Sequence, residues 1–220
     1  MTRWYAERKR DYYYKEAKKH GYRARSAFKL LQIHRRYNIL KKNGVVIDLG
    51  ASPGGWSQVA SKFASKVIAV DLQPMQPIEN VIFVQGDITE DSTIEKIKEH
   101  VEEADAVISD ASPNISGNYT LDQARSIWIC QHALKIAKEF LREGGNFVCK
   151  VFEGEDYPEF LSALWFATDQ CTSIFIPVHI CSLDIYDAYE NGEAHSIALQ
   201  LLEKYGHGNL KSIFEEVEAD

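Results

Sequence analysis

The chain has 220 residues, of which 45% are hydrophobic and 26% charged, with a formal net charge of −7; that is long enough for one domain with a substantial core. Its four cysteines (Cys130, Cys149, Cys171, Cys181) form no Cys-x-x-Cys pair, so neither a zinc site nor a disulfide framework is implied and reduced cysteines in a cytoplasmic protein are the expectation. Charge begins at Arg3 and no apolar run is long enough for a signal peptide or a membrane span, so a soluble protein without metal or membrane partner is expected.

The charge is unevenly placed. Residues 1–40 hold 12 Lys/Arg against three acids, a balance of +9, while the other 180 residues carry 13 Lys/Arg and 29 Asp/Glu, or −16. A basic arm on an acidic body points to a polyanion that meets one face. Trp4, Tyr5, Arg8, Arg10, Tyr12, Tyr13, Tyr14 and Lys15 interleave rings with bases. That mixture suits phosphate contact with stacking on unpaired bases, and equally an arm packed on its own domain. Ala27, Leu30 and Leu31, with His34 next in register, predict an amphipathic helix over residues 26–37, leaving Arg25, Lys29, Arg35 and Arg36 toward its other sides. Arg23, Arg35 and Arg36 are the cations expected to meet nucleic acid.

Val45-Val46-Ile47-Asp48-Leu49-Gly50-Ala51-Ser52-Pro53-Gly54-Gly55-Trp56 reads as a buried strand that stops in a tight turn, with a helix starting at Gly55. Glycines there admit a ligand close to the backbone. The spacing argues against a dinucleotide, because Ser52 stands where the second glycine of Gly-x-Gly-x-x-Gly belongs, and Asp48 would repel a pyrophosphate. Asp-x-Gly at the end of a first strand is the pattern of S-adenosylmethionine (SAM) methyltransferases, whose ligand carries an ammonium and a sulfonium.

Residues 57–64 should continue that helix, and residues 67–71 form a second strand ending in Asp71, placed to accept from ribose hydroxyls. Residues 81–84 predict a third strand followed by Asp87, and Ser92-Thr93-Ile94-Glu95 has a capping-box pattern for a helix to about residue 101. Residues 106–110 predict a fourth strand ending in Asp110. A long helix over 121–141, stopped by Gly144-Gly145, leads to a fifth strand over 146–151 that carries Lys150. Weaker patterns follow: a helix over 158–168, strands over 173–178 and 196–202, and an acidic tail from 215. Alternating strands and helices give an α/β fold with a mostly parallel central sheet flanked by helices, of the Rossmann-like SAM-dependent methyltransferase type. Asp48, Asp71, Asp87, Asp110 and Lys150 should converge at the carboxyl edge of that sheet.

Four separated motifs resemble one family. Gly21-Tyr22-Arg23-Ala24-Arg25-Ser26-Ala27-Phe28-Lys29-Leu30, Asp48-Leu49-Gly50-Ala51-Ser52-Pro53-Gly54-Gly55-Trp56-Ser57-Gln58, Ser109-Asp110-Ala111-Ser112-Pro113-Asn114-Ile115-Ser116-Gly117 and Lys150-Val151-Phe152-Glu153-Gly154 are similar to the FtsJ/RrmJ (RlmE-type) ribosomal RNA 2′-O-ribose methyltransferases, in family order, over about residues 8–160. The resemblance implies that Gly54, Trp56, Asp71, Asp87 and Asp110 line the SAM pocket. It also implies that Lys29, Asp110 and Lys150 are three members of a Lys-Asp-Lys-Glu tetrad. The substrate it implies is a uridine 2′-hydroxyl of large-subunit ribosomal RNA. Length and charge lead to the expectation of a single domain over 1–220, with residues 1–40 an RNA-binding arm and helix, and of a monomer.

The chemistry agrees with that reading. A ribose hydroxyl is a poor nucleophile at neutral pH, so it needs in-line placement and a group to take or stabilise its proton. Lys150, near another ammonium and partly desolvated, suits the role of base, with Asp110 orienting it and Lys29 fixing the hydroxyl or its phosphate. The sequence departs from the family at the fourth member: Ser182-Leu183-Asp184-Ile185-Tyr186 offers a shorter acid, with Glu193 as a rival. Two alternatives stay open, a tRNA 2′-O-methyltransferase and a weakly active RNA-binding ribosome-assembly factor that binds SAM.

Overall fold

The computed structural model describes residues 12–160 and 172–178, with side chains from 15 to 160. The single domain expected over 1–220 is thus described only as far as Val178. Asp184, Glu193 and the strand expected over 196–202 lie outside the described residues, as do residues 161–168 of the helix expected after Tyr157.

The elements are α1 (Tyr12–Lys19), α2 (Ser26–Tyr37), β1 (Val45–Leu49), α3 (Gly55–Ala60), β2 (Lys66–Asp71), β3 (Val81–Gln85), α4 (Asp91–Lys98), β4 (Ala104–Ser109), α5 (Tyr119–Phe140), β5 (Leu141–Phe152) and β6 (Thr172–Val178). The strands form one six-stranded sheet in the order β3-β2-β1-β4-β5-β6, with each neighbouring pair parallel. The order reverses between β1 and β4, and in such sheets the crevice beyond that reversal is where ligands bind. Strands β1, β2 and β4 are buried along almost their whole length, as expected of a parallel sheet covered on both faces.

One face of the sheet presents Val46, Val67, Ala106, Ile108 and Val148 to Ala27, Leu30 and Ile33 of α2 and to Trp56, Val59 and Ala60 of α3. Leu30 and Ile33 each contribute roughly 1.5–3 kcal/mol by leaving water. The stripe of α2 therefore centres on Leu30 and Ile33; His34 sits at its margin, accepting at Nδ1 from the Leu40 N–H (3.2 Å) with its ring 4.2 Å from that of Phe63. Desolvation holds the His34 pKa below its ordinary value, consistent with a neutral ring that serves as acceptor. Asn38 ends α2 in the left-handed region.

Two expected boundaries are corrected. The capping box at Ser92 does not form: the helix starts at Asp91 after Glu90, and Ser92 Oγ donates to Glu90 Oε2 instead. The cause lies upstream, where Asp87 Oδ1 accepts from both the N–H and the hydroxyl of Thr89 and folds the chain into a turn that delivers Glu90 to the helix start. Nor do Gly144-Gly145 stop the long helix. Leu141, already extended, ends α5 and opens β5. Ala104 pairs with Leu141 but Ala106 with Asn146, so the glycines lie in the extra length of a bulge.

Candidate active site

The register of the sheet decides which side chains meet. Ser109 pairs with Cys149, so the next residues, Asp110 and Lys150, emerge side by side where β4 ends and β5 continues. The Lys150 ammonium lies 2.8 Å from Asp110 Oδ1 and donates to the Asp110 carbonyl oxygen at 2.5 Å. Lys150 has the strand parity of Val148, and Val148 faces α2; that alternation turns Lys150 toward the helix that carries Lys29. Lys29 is half-buried and lies within electrostatic range of Asp110, Lys150 and Arg25. Burial is the largest influence on its ammonium and pushes its pKa below the ordinary value, Asp110 opposes the shift, and Lys150 and Arg25 reinforce it. Lys29, Asp110 and Lys150, 121 residues apart at the extremes of the chain's numbering, thus form one cluster.

Two further groups hold the neighbouring loops. Asp122, buried at the start of α5, accepts from the Ser116 N–H (2.9 Å), the Ser116 hydroxyl (2.8 Å) and the Gly117 N–H (3.0 Å). Those hydrogen bonds, the Ser116 N–H foremost, hold its pKa below the usual carboxylate range. The sequence reading missed Asp122; the signal was an acid in the first turn of a helix preceded by Ser-Gly-Asn, where loop N–H groups need an acceptor. Tyr119 donates its hydroxyl to the Glu153 carbonyl (2.8 Å). A side chain at Gly154 would put its Cβ 2.1 Å from Gln123 Cδ, so glycine lets the chain after Lys150 pass close to α5 without displacing the Gln123 side chain.

On the other side of the reversal, Asp71 ends β2. Its Oδ2 accepts from the Ser52 N–H (2.9 Å) and its Oδ1 from the Gln73 N–H (2.7 Å). Each oxygen keeps acceptor capacity beyond these bonds, and the adjoining Leu72 is 58% exposed, so a polar and an apolar surface lie together. Asp87, two residues past β3, directs one carboxylate oxygen to Thr89 and is half-buried.

Gly54 caps α3 with φ +108°, and a Cβ there would meet Ile78 Cδ1 at 2.8 Å, Met75 Sδ at 2.9 Å and Arg23 Nη1 at 3.0 Å. The left-handed φ is what requires glycine there, and the ends of the Ile78, Met75 and Arg23 side chains close over it. Trp56 does not present its indole to this crevice: the ring is 2% exposed and Nε1 donates to the Ser26 carbonyl (2.9 Å), joining the turn to α2. Asp48 is displaced from its expected place at the edge as well. It is wholly buried inside β1, where Oδ2 accepts from the Ser57 hydroxyl (2.5 Å) and Oδ1 has no hydrogen-bond partner. Burial, with Asp110 and Asp71 nearby, pushes its pKa up to about 7 against the pull of Ser57.

Arg23 is likewise not a free cation. Its guanidinium donates to the carbonyls of Pro53 (3.3 Å), Gln76 (2.6 Å) and Pro77 (2.9 Å), whereas Arg35 and Arg36 on α2 are exposed.

The residues present fit a SAM-type cofactor. Acceptors at Asp71 and Asp87 and the exposed Leu72 match hydroxyl, amino and ring groups. Among the described residues, no group of three or more His, Cys, Asp and Glu could hold a metal ion.

The FtsJ-like methyltransferase model matches residues 22–176. A protein of Archaeoglobus fulgidus called "Ribosomal RNA large subunit methyltransferase E" is 53% identical over 156 residues, covering 71% of this chain and 82% of that protein. Relatives of the same name from Methanosarcina acetivorans and Methanocaldococcus jannaschii are 52% and 47% identical, covering 71% and 73% of this chain. The chain spans 58% and 69% of their lengths. A Plasmodium falciparum protein solved under the name of a ribosomal RNA methyltransferase superposes with a TM-score of 0.61 at 29% identity, over 65% of this chain and 85% of that one. The chain belongs to the FtsJ-like methyltransferase family.

Proposed function

We propose that this chain transfers the methyl group of SAM to a ribose 2′-hydroxyl of ribosomal RNA, with a uridine of the large-subunit RNA as target, as a monomer whose residues 1–40 help hold the RNA. The name shared by its relatives supports the RNA class, since each is called a large-subunit ribosomal RNA methyltransferase. The observation that carries the reading is the Lys29, Asp110 and Lys150 cluster beside a row of strand-end carboxylates.

SAM would be held by Asp71 and Asp87 through its hydroxyl and amino groups, with Gly54 and the main chain around Trp56 in the turn, and would supply a methyl group on a sulfonium. The protein's part is to place a hydroxyl in line and take its proton, because a hydroxyl attacks poorly while protonated. Lys150 is the acceptor in this reading and Asp110 fixes its position, their 2.8 Å contact leaving Lys150 little freedom. One observation favours a second reading of the proton acceptor. Lys29 has its ammonium disfavoured chiefly by burial, as a lysine acting as base requires.

Methyl transfer from labelled SAM into free ribosomal RNA, large subunits and tRNA, followed by nuclease mapping of the modified ribose, tests the function. Label on a 2′-oxygen of ribosomal RNA is expected. Label confined to tRNA, or to a base, would overturn the substrate assignment.

A further inference from the structure

Among the described residues of the basic N-terminal segment, Arg23 turns its guanidinium onto the protein's own main chain. Arg23 lies between two segments of the candidate cofactor crevice: the glycine turn, through the Pro53 carbonyl, and the loop after β2, through the Gln76 and Pro77 carbonyls. The main chain on either side is fixed as well. The Arg23 N–H donates to Gln58 Oε1 (2.8 Å), and Gln58 Nε2 donates to the Gly21 carbonyl (3.0 Å), so α3 grips the residues just before α2. The space above Gly54 is filled by Arg23 Nη1, Met75 Sδ and Ile78 Cδ1. Three carbonyls from two segments converge on one planar, five-donor group, a geometry that a lysine ammonium on a flexible stem cannot reproduce.

We infer that Arg23 is a positioning residue of the cofactor crevice: it straps the loop over residues 72–78 to the glycine turn and so fixes the wall beside Asp71 from the same segment that leads into Lys29. This rests on the reading of that crevice as the SAM site. The loop depends on such a strap because it has little burial of its own. Leu72, Gln73, Pro74, Gln76 and Pro77 are all exposed. Without Arg23 the loop keeps its contacts at Leu72, Gln73 and Pro74 but loses both anchors on its far side, at Gln76 and Pro77, so opening it costs less. SAM binding would then have to order the loop, and its affinity falls by that amount.

Arg23→Lys is the test, since it keeps the positive charge. Two quantities are measured on the full chain: hydrogen exchange of the amides of residues 72–79 without cofactor, and SAM affinity by calorimetry, beside RNA affinity across a salt series. Exchange in the loop should quicken at least tenfold and SAM binding weaken about tenfold. RNA affinity and its salt slope should stay at the parent's values, because a lysine still neutralises a phosphate. In turnover, the KM for SAM should rise with kcat little changed, which a general loss of folding would not produce. Arg23→Met should reproduce both defects. Unchanged loop exchange in Arg23→Lys would overturn the strap. A shallower RNA salt slope in Arg23→Met, with normal SAM affinity, would return Arg23 to the RNA footprint. A parent that binds no SAM would sink the reading of the crevice and the positioning role with it, an outcome distinct from either of the others.

Discussion

Lys150 touches Asp110 twice, through the carboxylate at 2.8 Å and through the main-chain carbonyl at 2.5 Å. The double contact fixes the ammonium against the end of β4 and leaves the approach from α2 to Lys29. One lysine is thus ion-paired, while the other has its charge disfavoured by burial, and the two support different assignments of the reaction's proton acceptor.

The two variants Lys150→Arg and Lys29→Arg separate those assignments. Arginine keeps the charge and does not deprotonate. General-base assistance is typically worth about 10²–10⁴ in rate, so the base variant should lose at least a hundredfold in single-turnover methylation while SAM and RNA still bind. If Lys29 is the base, the parent's rate should rise with pH through the lowered lysine pKa, and Lys29→Arg should abolish that rise. Single-turnover rates within about tenfold of the parent for both variants would leave the two lysines as positioning cations.

Asp71 should dominate cofactor affinity among the strand-end acids, because it alone orders both the glycine turn, at Ser52, and the loop, at Gln73. Asp71→Ala is expected to weaken SAM binding by roughly 1–3 kcal/mol, the usual cost of leaving buried polar groups unpaired. Calorimetry on a folded variant with the parent's affinity would count against this placement of the cofactor.

Asp48 gives a pH signature in stability. Its folded-state pKa of about 7 lies above the ordinary 3.8, so between those values the native state holds a proton that the unfolded chain has lost. Stability is therefore full below about pH 4 and declines as pH rises to about 7. Asp48→Asn should match the parent in denaturant midpoint near pH 4 and exceed it near pH 8, by at most roughly 4 kcal/mol at about 1.4 kcal/mol per pKa unit. Parallel stability curves for the two proteins across that range would show that Asp48 is not strained by its burial.

If the basic segment holds RNA as proposed, the footprint on its described part falls to exposed cations. Arg35 and Arg36 lie in the last turn of α2, open to solvent, and their reversal to Glu should flatten the dependence of RNA affinity on salt, since each phosphate contact releases counterions. SAM affinity should not change. If the double variant keeps the parent's salt slope in a filter-binding series, the phosphate contacts lie elsewhere.

Short-range pattern was enough to read several features from the residues alone. β-branched runs bounded by turn residues marked β1, β2 and β4, the alternation with helices gave the parallel sheet, and four motifs in order gave the family. The Lys150 and Asp110 neighbourhood was legible because strand-end position is itself a sequence property, and parallel pairing then places the two residues together. What the tertiary structure alone decided were the partners of groups whose sequence signal is degenerate. An arginine in a basic run reads as a phosphate contact, yet Arg23 is folded onto carbonyls up to 54 positions away. An aspartate before a glycine turn reads as a ligand contact, yet Asp48 is wholly buried against Ser57. Trp56, placed by its motif in the cofactor pocket, turns its indole into the packing against α2. The physical reason is common to all three. Charge and ring type are written in the sequence, but the burial and hydrogen-bond geometry that assign each group a role arise only when distant segments close around it.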